Sequence, residues 1–160
     1  MLGKFFKSKK EKTEEPFDIE KFNIELSTLA NNQLPFVQNF MGNTSVFNPY
    51  GIAVSWDNEY KQLVYFDSDE NIKDLKTDDI YKIILGQISE QHKLSSNKIV
   101  AIIYLGELKP QDENQNIDTI SIKFFHKQFD KCVGVHYPFR FENENMQIRH
   151  PYITHEDKII

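Results

Sequence analysis

One cysteine, two arginines and six glycines occur in 160 residues, and each scarcity removes a class of chemistry. Cys132 stands alone, so no disulfide can close within the chain and no thiolate cluster can hold zinc. A reduced lone thiol suits the cytoplasm, which is the expected location. Glycine stands at positions 3, 42, 51, 86, 106 and 134, a spacing that contains neither a phosphate-cradling loop nor a strained serine elbow. Such loops need glycine because the backbone must approach a phosphate closely or turn with positive φ. Arg140 and Arg149 are the two forked phosphate clamps available, and the formal charge is −5, so nucleic acid is not an expected partner. No run approaches the roughly 20 apolar residues of a membrane span, and the first ten residues lack the apolar stretch of a signal peptide.

What is present suits a single domain. Two domains in a chain of this length would each approach the size at which a core becomes marginal. The apolar share of 39% is low, but 13% aromatic residues offset it, because each ring buries a large area. Residues 1–16 read as a flexible charged tail and 17–160 as the domain. The first fifteen residues carry a net +2, leaving −7 on the remainder. Phe5 and Phe6 beside lysines allow a membrane contact, but stable anchoring takes two signals, so a solvated tail is the expectation.

From Asp18, the spacing Ile19, Phe22, Leu26, Leu29 predicts an amphipathic helix that fades at Asn31 and Asn32. Leu34 to Tyr50 reads as irregular but packed, through Phe36, Phe40, Met41 and Phe47. Ile52, Val54 and Trp56 alternate, Asp57-Asn58-Glu59 supplies a turn, and Tyr60 to Phe66 returns, which predicts a β-hairpin. A second helix follows, with Thr77 as cap and Ile80, Ile83, Ile84 and Ile88 as its stripe, ending near His92. The apolar run from Lys98 to Leu105 suits a central strand covered on both faces.

Two period-two segments come next, Ile120/Ile122/Phe124 and Val133/Val135/Tyr137/Phe139/Phe141. A turn centred on Phe129 and Asp130 sets Ile120 against Phe139, Ile122 against Tyr137 and Phe124 against Val135, giving one dry and one wet face. Met146 to Arg149 adds a short strand before a Pro-containing tail. The fold class expected is α+β: one domain with an antiparallel or mixed sheet of five or six strands and two helices, in the order αββαβββ with a further edge strand.

Candidate chemistry is sparse. His150 and His155 are five apart, which matches neither a helical face nor a strand face, and no metal or cofactor is expected. Glu107-Leu108-Lys109 is similar to the acid-x-Lys spacing of a large nuclease superfamily. That fold also needs an upstream acid on an adjoining strand, and here a helix separates Asp67 from this strand. His136 and Lys123 share the wet face of the predicted pair, where solvated polar residues are the default. Acids gather at Asp67, Asp69, Glu70, Asp74, Asp78 and Asp79, and again at Glu107, Asp112 and Glu113. If the two stretches adjoin, Asp67, Asp69, Glu70, Glu107, Asp112 and Glu113 form a negative patch that can dock a basic protein.

The expected function is therefore a non-enzymatic protein that binds another, basic protein, in the manner of an immunity- or antitoxin-type inhibitor. Two alternatives stand beside it. One is an acidic chaperone for a secreted protein, and the other an enzyme of unfamiliar type using the sheet face around His136 and Lys123.

Overall fold

The structure, a computed structural model, describes residues 16–43, 47–64 and 75–160. The expected tail and Asp67, Asp69, Glu70 and Asp74 lie outside them. The elements run α1 (Ile19–Asn43), β1 (Tyr50–Ser55), β2 (Tyr60–Leu63), α2 (Thr77–Lys93), β3 (Asn97–Leu108), β4 (Ile117–His126), β5 (Lys131–Glu142), β6 (Asn145–Ile148) and β7 (Tyr152–Asp157). They form an antiparallel sheet in the order β2-β1-β3-β4-β5-β6, with β7 also on β5, so the chain is an α+β domain. Among the described residues no helix is long and apolar enough to cross a membrane.

The sheet is built around β3. Its run alternates between two cores: Ile99, Ala101 and Ile103 join Phe22, Leu26, Ala30 and Val37 of α1, while Val100 and Ile102 join Ile80, Ile84 and Ile88 of α2. All five β3 residues are fully buried, as the unbroken apolar run requires. On the α2 side, Gly51 of β1 lets the helix approach. A Cβ there would stand 2.7 Å from Ile88 Cγ2.

Four details depart from the sequence expectations. α1 does not fade at Asn31 and Asn32 but continues through Pro35 to Asn43. The buried stripe Phe22, Leu26, Ala30, Gln33, Val37 persists across the asparagines, and that burial outweighs propensity penalties below about 1 kcal/mol each. Thr77 does not cap α2; Lys76 holds the cap position with no side-chain hydrogen bond. The β4–β5 register is Ile120↔Tyr137, Ile122↔Val135 and Phe124↔Val133, two residues from the expected one. A shift of two keeps every side chain on its face, so the apolar pattern does not distinguish the two registers. The turn does: Phe129 N–H donates to His126 O, and the Phe129 ring packs on Phe17 and Phe22.

The fourth departure is a strand where a tail was expected. β6 and β7 run in succession along one edge of β5, broken at Arg149-His150-Pro151. Three residues there oppose Tyr137 and Pro138, an extra residue that reverses the faces: Met146 and Ile148 point to the α1 side, Thr154 and Glu156 to the α2 side. The α2 side of the sheet is consequently not the wet face expected, since α2 covers part of it and a polar network fills the rest.

Truncating Ile88 to Ala is expected to lower unfolding free energy by about 2–5 kcal/mol, read from urea titration. Gly51→Ala should also destabilise, by about 1–3 kcal/mol, because Ile88 has no room to retreat.

Candidate functional site

α1 crosses one face of the sheet and leaves a groove on each flank. The first, of about 740 Å³, lies between α1 and the β1–β2 hairpin and is lined by Leu29, Gln33 and Phe36 on one wall and Val54, Asn58 and Tyr60 on the other. Phe36 is 45% exposed and Tyr60 50%, so two aromatic rings face this opening from opposite sides. Buried Gln33 joins the walls: its Oε1 accepts the Tyr50 hydroxyl at 2.8 Å and the Tyr60 hydroxyl at 3.3 Å. Burial raises the pKa of both phenols, so both remain protonated donors. At the groove's end, Lys98 Nζ meets Glu25 and the Asn58 side-chain oxygen, pinning the hairpin turn to α1. That turn needs a left-handed residue, and Asn58 supplies it with φ 63°.

The second constellation lies on the α2 side of β4, β5 and β7. Thr119, Ser121, His136, Thr154 and Glu156 form one chain of contacts: Thr119 Oγ1 to Ser121 Oγ at 2.8 Å, Ser121 Oγ to His136 Nδ1 at 2.9 Å, His136 Nε2 to Thr154 Oγ1 at 2.9 Å, and Thr154 Oγ1 to Glu156 Oε1 at 3.2 Å. The carboxylate sets the direction. An ionised Glu156 only accepts, so Thr154 donates to it and must accept from His136 Nε2–H; Nδ1 is then the lone pair that takes the Ser121 proton. Lys123 Nζ holds Glu156 Oε2 at 2.9 Å, which lowers the Glu156 pKa and keeps it ionised.

Burial lowers the His136 pKa despite the opposing pull of Glu156, so the ring is neutral at pH 7. For Lys123, burial acts to lower the pKa, but the Glu156 hydrogen bond and neighbouring groups raise it on balance. Neither residue occupies the solvated face expected: His136 is 6% exposed, opposite Ser121 rather than Lys123. Gly134 makes the space. A Cβ there would fall 2.3 Å from Thr154 Oγ1 and 2.6 Å from His136 Nε2. With Ser121 2% exposed, the serine–histidine pair is closed to a substrate in this conformation, and it acts as a seam holding β7 to the sheet.

Of the acids singled out in the sequence, Glu107, Asp112 and Glu113 are described, and their surroundings differ. Glu107 Oε2 accepts the Asn116 amide at 3.1 Å on exposed surface, and Asp112 is exposed on the same connection. Glu113 turns into the second groove beside α1. Among the described residues no group of three or more His, Cys, Asp or Glu side chains is arranged to hold a metal. Compared with protein-family models, curated proteins and solved structures, the chain matches none.

The sequence does not single out Gln33, which lies past the asparagines that signal a helix end, nor Thr154 and Glu156, which follow Pro151 in a segment with the pattern of a tail. His126 ends the apolar row of β4 at 4% exposure, with its ring 4.7 Å from Phe22 and Nδ1 accepting the Gln128 N–H at 3.0 Å.

Burial, with Lys98, Lys158 and His92 nearby, pushes the His126 pKa down to about 4. The unfolded chain takes up this proton near pH 6.5 and the folded chain does not, so the stability due to neutral His126 is complete above about pH 6.5 and is lost as pH falls toward 4. About 2 kcal/mol from this group should be gone by pH 5; His92 is pushed down to about 4 as well, so His126→Gln should reduce the loss between pH 7 and pH 5 in urea titrations without abolishing it. Gly134→Ala is expected to destabilise by about 1–3 kcal/mol, with faster hydrogen exchange of β7 amides as the local readout.

Proposed function

We propose that the protein is a non-enzymatic binding protein that takes an extended, basic segment of a partner protein into the groove between α1 and the β1–β2 hairpin. The observation that carries this reading is the pair of half-exposed rings lining the groove, Tyr60 tied through its hydroxyl to buried Gln33 and Phe36 set edge-on against Tyr50, which bonds the same amide. Aromatic rings fixed before binding give contact area with little further loss of conformational entropy. Asn32, Asn58 and Gln62 supply donors and acceptors that suit a peptide backbone better than the wholly apolar groove of a chaperone.

A further feature supports an extended occupant. β2 pairs with β1 on one side, and among the described residues no strand pairs with the other. Such an edge offers main-chain hydrogen bonds to an incoming strand. The chain's net −5 charge steers a basic segment toward it. An inhibitor of the immunity or antitoxin kind, closing over a basic protein, is the biological role that fits this chemistry.

Panning a library of short random peptides against the full chain tests the reading. Enriched peptides should combine Lys or Arg with alternating apolar residues, and their affinity should fall as salt rises. Phe36→Ala and Tyr60→Ala should each weaken the best peptide by about tenfold in calorimetric titration. Enrichment of acidic peptides, or unchanged binding by both variants, would refute it.

A further inference from the structure

The groove on the other flank of α1 has a different character. It is a shallow, open groove of about 760 Å³. Two features absent from the sequence reading create it. α1 continues past Asn32 and supplies Leu34 as a wall, and the break at Arg149–Pro151 opens the sheet edge between β6 and β7. Ile117, Tyr137 and Ile148 make much of the remaining surface apolar.

Opposite charges line this groove without meeting. Glu113 comes from the β3–β4 connection and Arg149 from the break, where its backbone N–H is spent on Pro138 O at 2.8 Å. No ion pair within 4.0 Å joins them, and among the described residues neither side chain has an ion-pair partner. A carboxylate and a guanidinium, apart and unpaired beside apolar surface, are complementary to a ligand carrying an amine at one end and a carboxylate at the other. A purely anionic ligand would meet Glu113 and the net −5 of the chain; a purely cationic one would meet Arg149.

We propose that this groove binds a short apolar peptide with both termini free, its carboxylate on Arg149 and its amino group on Glu113. The guanidinium fork matches the carboxylate in two parallel hydrogen bonds, and a tripeptide spans about 10 Å, long enough to bridge charges that do not touch. The proposal does not depend on the reading of the first groove. It needs no residue from that site.

Trileucine is the probe, titrated calorimetrically into the full chain beside its N-acetylated form, its C-amidated form and free leucine. Trileucine should bind, and capping either end should weaken it at least about tenfold. Arg149→Gln should make the protein indifferent to amidation, and Glu113→Gln indifferent to acetylation, which ties each terminus to its residue. On the unaltered protein, the methyl NMR signals of Ile117 and Ile148 should shift with trileucine, a readout that stands even if a variant folds poorly. Absence of binding at millimolar trileucine, equal binding of capped forms, loss on amidation alone, or free leucine binding as well as trileucine would each overturn the proposal.

Discussion

Everything in this molecule hangs on a strand that must be dry on both sides. Ile99 through Ile103 are fully buried in sequence, so each face of β3 needs its own cover, and the chain supplies one helix to each. That requirement explains why the two helices lie on opposite faces of the sheet. It also explains the close approach at Gly51, since α2 must sit low enough for Ile84 and Ile88 to reach Val100 and Ile102. The grooves are a consequence of the same geometry. A single helix is narrower than the sheet it covers, and the sheet extends beyond α1 on both flanks.

The buried polar groups gather at the margins of the two helices. Beyond α2, the sheet face is closed by the chain from Thr119 to Glu156, every member of which has a hydrogen-bond partner. On α1, Gln33 is buried yet tied to two phenols. Both arrangements follow one rule: a polar group removed from water must find a protein partner, and the partners then fix how neighbouring elements sit. In the first case the outcome is a seam that secures β7. In the second it is an open groove with prepositioned walls.

Much of the architecture was legible because it rests on periodicity. The two-faced burial of β3, the hairpin turn at Asn58, the one-sided apolar rows of β4 and β5 and, apart from exposed Ile83, the α2 stripe could all be read from spacing, since side-chain direction repeats every 2 or about 3.6 residues. Where local signals opposed tertiary burial they misled. Asn31 and Asn32 signal a helix end, but Val37, fully buried, shows that packing extends the helix. Pro151 and the charged residues after it announced a tail, yet β7 pairs with β5 for six residues. The candidate sites suffered most, because Gln33, Thr154, Glu156 and Arg149 act through those two misread segments.

The sequence by itself determined the apolar rows of β3, β4 and β5, the number of helices, and the absence of glycine-based phosphate loops, because these depend on composition and on a period carried within each segment. Tertiary structure alone decided the β4–β5 register, the reach of α1, the reversal of faces at Arg149–Pro151, and so the grooves and the histidine seam. The physical reason is that a shift of two residues, a helix crossing an asparagine pair, or an extra residue at a strand break costs little locally. What selects among such near-equal alternatives is contact between segments far apart in the chain: Phe129 on Phe17, Gln33 with Tyr50, and Thr154 with His136.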